Sequence, residues 1–79
     1  MKVGDYIRQE YTNSTALIID RLKNGSFRAL VHDYRGRIVQ KSIKGWYPPP
    51  TIIQKSDIPA KIIGKIDKYC ERNNVVIVA

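Results

Sequence analysis

A tight turn between two apolar segments is the feature that most constrains how this chain can fold. The Asn-Gly pair at 24–25 separates segment 15–22, which is rich in β-branched and apolar residues, from the similar segment 27–32. Asn-Gly is the pair that a two-residue type I′ turn prefers, because both residues of that turn take positive φ angles. The sequence therefore predicts a β-hairpin in which Leu22 lies opposite Phe27, with apolar side chains on both faces of the sheet.

A second turn follows directly after this hairpin. Asp33 can accept hydrogen bonds from the backbone that follows it, and Gly36 suits the left-handed residue of a three-residue loop with a bulge. Together with the hairpin, this turn predicts a three-stranded meander over 15–43. Two short strands, at 5–8 and 52–53, bring the expected number of strands to about five.

The C-terminal third has the spacing of an amphipathic helix over 57–73. Its apolar face consists of Ile58, Ile62, Ile66 and Tyr69. Ser56 or Asp57 is expected to cap the first turn, where Pro59 is tolerated because that turn needs no amide donor. The Asn-Asn pair at 73–74 is expected to end the helix, since Asn accepts the left-handed conformation.

The uniformly apolar segment 75–78 predicts a last strand, over 75–79, that either closes the sheet or forms its edge. A chain of 79 residues suffices for one domain, in which 2–53 form the sheet. The sequence has no apolar run of about 18 residues that could span a membrane. The first residues lack the apolar core of a signal peptide, so we expect an intracellular, cytoplasmic location.

Two segments of the predicted strands share a pattern of glycine and aspartate. Segment 2–7 reads Lys-Val-Gly-Asp-Tyr-Ile, and segment 31–38 reads Val-His-Asp-Tyr-Arg-Gly-Arg-Ile. They resemble the opening strand and the tight turn of Src-homology-3-like small barrels, which include Tudor, Sm and KOW-type domains. Over 2–53 the resemblance implies a mainly β (α+β) fold, a small barrel closed by a segment after the prolines at 48–50, with the helix and terminal strand added. Such barrels bind nucleic acid, bind peptides or act as assembly modules, so the fold leaves the function open.

The charge balance indicates the class of partner. Fourteen Lys and Arg residues stand against seven Asp and Glu residues, a formal net charge of +7. A small domain this basic is expected to bind polyanions, with DNA or RNA first and an anionic membrane or an acidic protein second. A membrane surface is not expected as a partner, because the apolar face of the helix is needed for the core. The alternative is that the excess charge serves solubility alone.

The basic residues between 34 and 56 alternate with aromatic residues and have no acidic residue among them. Basic side chains neutralise phosphates and exposed rings stack on bases, which is how single-stranded nucleic acid is bound without sequence readout. The candidate binding residues are Arg35, Arg37, Lys41, Lys44 and Trp46. Strand alternation places Arg37 and Lys41 on one face, unless a bulge at Gly36 shifts Arg37. The alternative is a solvated outer face with Trp46 in the core.

The predicted helix carries a second basic feature. Four basic residues are spaced 4, 3 and 4 along it, namely Lys61, Lys65, Lys68 and Arg72. At about 100° per residue, this stripe lies about 110° from the centre of the isoleucine face, so the helix can pack on the sheet and still present a basic edge. We take Lys61, Lys65 and Lys68 as further candidates for phosphate contact. The alternative is an ordinary solvated helix face.

No group of residues points to catalysis. The chain has one cysteine, Cys70, and one histidine, His32, so its sequence offers neither a disulfide framework nor a thiolate zinc cluster. No second nucleophile, base or carboxylate pair stands near either residue in the sequence. We therefore expect no enzymatic activity, no cofactor, no metal site and no small-molecule substrate.

The sequence favours a protein that binds DNA or RNA through a basic face, without catalysis and with low sequence specificity. The alternative is a protein–protein interaction module, such as an adaptor, an inhibitor or a homo-oligomer. It would use the barrel surface or an edge strand at 75–78, because an exposed apolar edge strand is a docking site. Phosphate binding weakens steeply with salt and a mainly apolar interface does not, so salt dependence separates the two hypotheses.

Overall fold

Residues 1–44 and 49–77 are described by a computed structural model, and they form one antiparallel sheet followed by a helix. The strands are β1 (Tyr6–Gln9), β2 (Ser14–Arg21), β3 (Phe27–His32), β4 (Ile38–Ile43) and β5 (Thr51–Ile53). A 3-10 turn over Lys55–Asp57 precedes the helix α1 (Ala60–Arg72). The prediction of a mainly β fold with five antiparallel strands and a C-terminal helix is confirmed.

The order of the strands in the sheet is β4-β3-β2-β1-β5. The first four strands follow one another as a meander, and β5 returns to pair with β1, where Ile52 lies opposite Ile7. This order leaves β4 and β5 at the two edges of the sheet. No ladder joins β4 to β5 within the described residues, so the sheet is not shown to close into a barrel.

The sheet is apolar on both faces, as the hairpin segments predict. Its first face buries Ile7, Ala16, Ile18, Ala29, Val31 and Ile43. Its second face buries Leu17, Ile19 and Leu30 together with Ile66 of the helix. Because successive residues of a strand point to opposite faces, a strand that is buried on both sides is apolar without interruption. This explains why the middle of β2 is buried at every position from 15 to 19.

The loop between β2 and β3 differs from the predicted two-residue turn. The Leu22 amide donates to the Ser26 carbonyl at 2.8 Å, and the Gly25 amide donates to the Leu22 carbonyl at 3.0 Å. These bonds enclose a three-residue loop over 23–25 in which Gly25 has a φ of +82° while Asn24 stays outside the positive-φ region. The Asn24 side chain instead accepts a hydrogen bond from the Ser26 amide at 3.1 Å, which fits a type I turn followed by a left-handed glycine.

The longer loop changes the register of the hairpin. Phe27 lies opposite Arg21 rather than opposite Leu22, so the predicted pairing is wrong by one residue. A β-bulge between Ile18 and Asp20 shifts the register by one further residue along β2. Bulges of this kind increase the local twist of the sheet.

The loop between β3 and β4 has the predicted form. The Asp33 amide donates to the Arg37 carbonyl at 2.9 Å, and the Gly36 amide donates to the Asp33 carbonyl at 3.0 Å. Gly36 takes the left-handed conformation, with a φ of +77°. The three-residue loop with a bulge at its glycine is therefore confirmed.

The helix begins three residues later than predicted. Pro59 is its N-cap residue and no side chain caps the first turn, so the predicted caps Ser56 and Asp57 are wrong. The cause is the proline, whose ring disfavours the helical conformation in the residue before it. Ile58 is accordingly extended, with φ −101° and ψ 133°, and the helix starts only at Ala60. None of the helices described is long and apolar enough to cross a bilayer.

The helix ends as predicted, but the strand expected after it is absent over the described part of 75–79. Asn74 has a φ of +53°, and the Val75 amide donates to the Cys70 carbonyl at 2.9 Å, which is the pattern of a Schellman motif. Val75 and Ile77 then pack against the second face of the sheet without joining a ladder. The reversal of the chain at Asn74 thus brings these side chains onto the core.

Candidate nucleic-acid interface

A single hydrogen bond joins the helix to the loop between β3 and β4. The Lys65 ammonium (Nζ) donates to the Gly36 carbonyl oxygen at 2.7 Å, across 29 residues of sequence. The acceptor is a neutral backbone group, so the bond leaves the positive charge of Lys65 unneutralised. A Cβ atom on Gly36 would lie 3.3 Å from Lys65 Nζ, so the ammonium packs closely on this glycine. The bond holds the basic edge of α1 against the start of β4.

The groove between these two elements is strongly basic. It has a volume of about 310 Å³, and the residues that line it are Arg37, Ile38, Lys65, Lys68, Tyr69, Arg72 and Asn73. Four of these residues carry a positive charge, and none of them is acidic. We call the set Arg37, Lys65, Lys68 and Arg72 the basic groove.

The helix presents its cations to the groove because its core face is fixed. Ile66 is fully buried on the second face of the sheet, and Ile62 packs beside it. The basic stripe lies about 110° around the helix from that face, which directs it to the side of α1 that meets β4. Tyr69 stands at the boundary, since it packs on the core and also lines the groove.

Arg37 lines the groove from the first position after the loop between β3 and β4. It lies beside Ile38, whose side chain packs on the helix side. The ladder between β3 and β4 keeps one register from Ile38 to Ile43, and the bond from the Asp33 amide to the Arg37 carbonyl continues that register. Lys41 lines a separate depression together with Val31. The structure thus places Arg37 and Lys41 at different depressions, although strand alternation assigns them to one face.

The structure brings together three of the predicted site residues, Arg37, Lys65 and Lys68. Arg35 and Lys44 are exposed outside the groove, and so is Lys61, one turn before Lys65 on the same stripe. Trp46 lies outside the described residues. Sequence reasoning did not select Arg72, although the 4, 3 and 4 spacing of the stripe already included it.

On the other side of the same loop lies a smaller depression of about 250 Å³. The Arg35 guanidinium stands 5.4 Å from the centre of the Tyr34 ring, and its Nε donates to the Tyr34 hydroxyl at 3.0 Å. The Asp33 carboxylate accepts hydrogen bonds from the amides of Arg35 and Arg37, each at 2.9 Å. These bonds, led by that from Arg37, lower the pKa of Asp33, so this depression contains a carboxylate that is charged at neutral pH.

A third depression, of about 380 Å³, is larger than the basic groove but suits phosphate less well. It lies near the opposite end of the sheet, where Asp20 and Arg28 are its two charged residues. The carboxylate and the guanidinium offset each other, so this site has little attraction for a polyanion. Val75 and Val76 form part of its wall.

The cysteine does not have the environment of a nucleophile. Burial, and then the negative charge of Asp67, raise the pKa of the Cys70 thiol, so the thiol is protonated at neutral pH. Burial raises the pKa of the nearby Tyr6 phenol, to which Asp67 and Cys70 also contribute. Within residues 1–44 and 49–77, no three His, Cys, Asp or Glu side chains are grouped as ligands for a metal ion.

Comparison with known proteins identifies no relative of this chain. No protein-family model matches this chain, no curated protein matches its sequence, and no solved structure matches its fold.

Proposed function

We propose that this protein binds DNA or RNA through its phosphates at the basic groove, without catalysis. The observation that carries the proposal is the Lys65–Gly36 hydrogen bond, which joins two basic segments into one groove lined by four cations and no carboxylate. Phosphate is the ligand that such a groove favours, since neutralising phosphates releases condensed counterions from the nucleic acid. The proposal carries with it an intracellular location, because that is where nucleic acid is encountered.

Low sequence specificity follows from the kind of contact that the groove can make. Arginine donates to phosphate with a fork of two hydrogen bonds, and lysine acts as a point charge, but phosphates carry no sequence information. The neutral polar groups of the groove belong to Tyr69 and Asn73. Asn73 already donates its side-chain amide to the Tyr69 carbonyl at 2.9 Å, so it is occupied in capping the helix.

The proposal is tested by the salt dependence of binding. Fluorescence polarisation with labelled single-stranded and duplex oligonucleotides is measured between about 50 and 300 mM salt. If all four cations contact phosphates, the slope of log affinity against log salt is about −3.6 for duplex DNA and about −2.8 for a single strand. Affinity should not depend on the base sequence of the probe.

Two double variants distinguish binding at the basic groove from binding through the overall net charge. Arg37→Glu with Lys68→Glu should weaken binding by about tenfold or more and bring the duplex slope to about −1.8, since two phosphate contacts are lost. Lys2→Glu with Lys23→Glu changes the net charge equally, at exposed sites away from the groove, and should retain the parent slope. Equal loss in both double variants would assign binding to the overall charge and contradict the proposal.

We also propose that the sheet is a small barrel of the Src-homology-3-like type. The strand order supports this, because β5 returns to β1 after a four-stranded meander. The burial of the first face supports it as well, since α1 packs on the second face and a strongly curled sheet can bury the first. Hydrogen exchange tests closure, because a barrel protects the outer amides of β4 and an open sheet leaves them unprotected.

A protein-interaction module is the second candidate function, favoured by the outer edge of β4. That edge has no strand beside it within the described residues, and Gln40, Lys41 and Ser42 are exposed along it. A partner strand adding there would bind mainly through backbone hydrogen bonds, with weak salt dependence. Size-exclusion chromatography at two salt concentrations tests whether a second copy of the chain pairs with this edge. A monomer at both salt concentrations would reject homodimerisation through β4.

A further inference from the structure

Two tyrosines protrude into solvent at one end of the sheet. Tyr11 is 84% exposed and Tyr34 is 88% exposed, the highest values among the large apolar side chains of the described residues. Tyr11 belongs to the loop between β1 and β2, and Tyr34 to the loop between β3 and β4. Neither ring contributes to the core, so folding alone does not account for them. We call these two residues the tyrosine platform.

The two loops lie side by side. Gln9 pairs with Ser14 where β1 turns into β2, and Thr15 pairs with His32 where β3 ends. The chain therefore leaves the sheet at neighbouring points of the same end. Side chains from both loops line the 250 Å³ depression, with Gln9, Thr12 and Ser14 from one and Asp33 and Tyr34 from the other.

Both loops are braced internally. The Thr12 hydroxyl lies 3.0 Å from the Gln9 side-chain oxygen and 2.9 Å from the Ser14 hydroxyl. The other loop is held by the two amides that donate to Asp33. A ring presented on an ordered loop loses little further freedom when a ligand stacks on it.

The charges around the platform are mixed. Arg8, Arg35, Arg37 and Lys41 lie near the two rings in sequence or in the depression, and so do the carboxylates of Glu10 and Asp33. The Arg35 guanidinium stands over the Tyr34 ring, 5.4 Å from its centre. What the platform offers a ligand is the exposed Tyr11 ring and the face of Tyr34 that Arg35 does not cover.

The platform and the basic groove share one loop. Tyr34 and Arg37 belong to the turn whose Gly36 carbonyl accepts the hydrogen bond from Lys65. The two sites lie on opposite sides of this loop, so a strand that continues from the groove around the loop reaches Tyr34.

We propose that the tyrosine platform stacks on unpaired bases, so that the protein prefers single-stranded nucleic acid. This inference rests on the proposed binding of phosphates in the basic groove. Aromatic side chains stack on any base, and the bases of a duplex are already stacked on one another and unavailable. The groove then supplies salt-dependent affinity, and the platform supplies the preference for single strands.

The test uses three labelled probes of equal length: a single strand with thymine bases, an abasic single strand and a duplex. Tyr11→Ala and Tyr34→Ala should each weaken binding to the thymine strand by about 5- to 140-fold. Binding to the abasic strand and to the duplex should stay within about twofold of the parent, because neither offers an unpaired base. The salt slope on the thymine strand should be unchanged, because stacking releases no phosphate counterion.

Three control variants complete the experiment. Tyr11→Phe and Tyr34→Phe keep the rings and should retain parent affinity for the thymine strand. Val76→Ala removes an exposed apolar side chain, 76% exposed, at the wall of a different depression and should change nothing. Circular dichroism melts of the alanine variants should match the parent, since neither tyrosine is buried.

The outcomes distinguish the two proposals. If the parent binds all three probes and the alanine variants lose no affinity for the thymine strand, stacking is refuted and phosphate binding stands. Equal losses on the abasic strand and the duplex refute stacking in the same way. If the parent binds none of the probes, phosphate binding fails and the stacking proposal fails with it.

Discussion

Gly36 and Gly25 form a matched pair for testing whether the Lys65 contact sets the geometry of the groove. Each is the last residue of a three-residue hairpin loop, with φ angles of +77° and +82°. A Cβ on Gly36 would lie 3.3 Å from Lys65 Nζ, whereas a Cβ on Gly25 would meet nothing within 4 Å. Alanine at either position therefore introduces similar backbone strain, and only Gly36→Ala also disturbs Lys65.

The magnitude follows from the two contributions. An alanine in the left-handed region costs about 1–2 kcal/mol, and each kcal/mol lowers the Tm of a domain of this size by about 4–8 °C. Gly36→Ala also places the new Cβ 3.3 Å from Lys65 Nζ, so the end of this flexible side chain must shift by a few tenths of an ångström. If that shift breaks the hydrogen bond to the Gly36 carbonyl, the destabilisation grows by about 1 kcal/mol. We therefore expect a lower Tm for Gly36→Ala than for Gly25→Ala, with both below the parent.

The salt dependence of binding distinguishes the two variants more sharply than their stability does. If Lys65 is displaced, the duplex slope of log affinity against log salt should fall from about −3.6 towards about −2.7 in Gly36→Ala. Gly25→Ala should keep the parent slope, because its loop lies at the opposite end of the sheet. Thermal melts and a salt series of polarisation titrations measure both quantities. Equal Tm and equal slope in the two variants would refute the role assigned to the Lys65–Gly36 bond.

Two further predictions concern the helix. Ile66→Ala should destabilise the fold by about 2–5 kcal/mol, because this fully buried side chain attaches α1 to the sheet; a denaturant midpoint equal to that of the parent would show that the helix is peripheral. The free energy of unfolding should also decline as pH rises above about 9. In the folded protein, burial and Asp67 raise the pKa of Cys70 above its ordinary value of 9.0, so the thiol of the unfolded chain ionises first. Unfolding midpoints of Cys70→Ala between pH 8 and 10.5 should decline less than those of the parent, and parallel declines would contradict this.

Local chemistry predicts the elements of this fold better than their boundaries. The loop at 33–36 was predictable in detail, because Asp33 and Gly36 each have one favourable role there. The Asn-Gly pair at 24–25 marked a hairpin correctly but not its loop type, since Asn24 is compatible with either sign of φ; here it stays outside the positive-φ region and accepts a bond from the Ser26 amide. One wrong residue in the loop then displaced the register of the whole hairpin.

Two errors have different physical origins. The late start of the helix could have been read from Pro59, whose effect on the preceding residue is a local steric rule. The apolar run at 75–78 could not be resolved in this way, because an apolar segment that packs its side chains on a core has the same composition as a strand. Only the reversal at Asn74 shows that Val75 and Ile77 reach the sheet as packed side chains.

The candidate site was predictable in its parts and not in its assembly. The basic stripe of the helix followed from spacing alone, and the basic character of the loop around Arg37 followed from composition. That these two segments meet depends on the contact between Lys65 and Gly36, which no local rule specifies. Arg37 likewise lines this groove while Lys41 lines another depression, although strand alternation assigns both to one face.

The distance in sequence between Gly36 and Lys65 has a consequence for the protein during its synthesis. At about 5–20 residues per second, the 29 residues from Arg37 to Lys65 take about 1.5–6 s to translate. Because the other three cations of the groove belong to α1, Arg37 is the only one that has been made during this interval. On the proposed function, phosphate binding at the groove therefore begins only when α1 has been added.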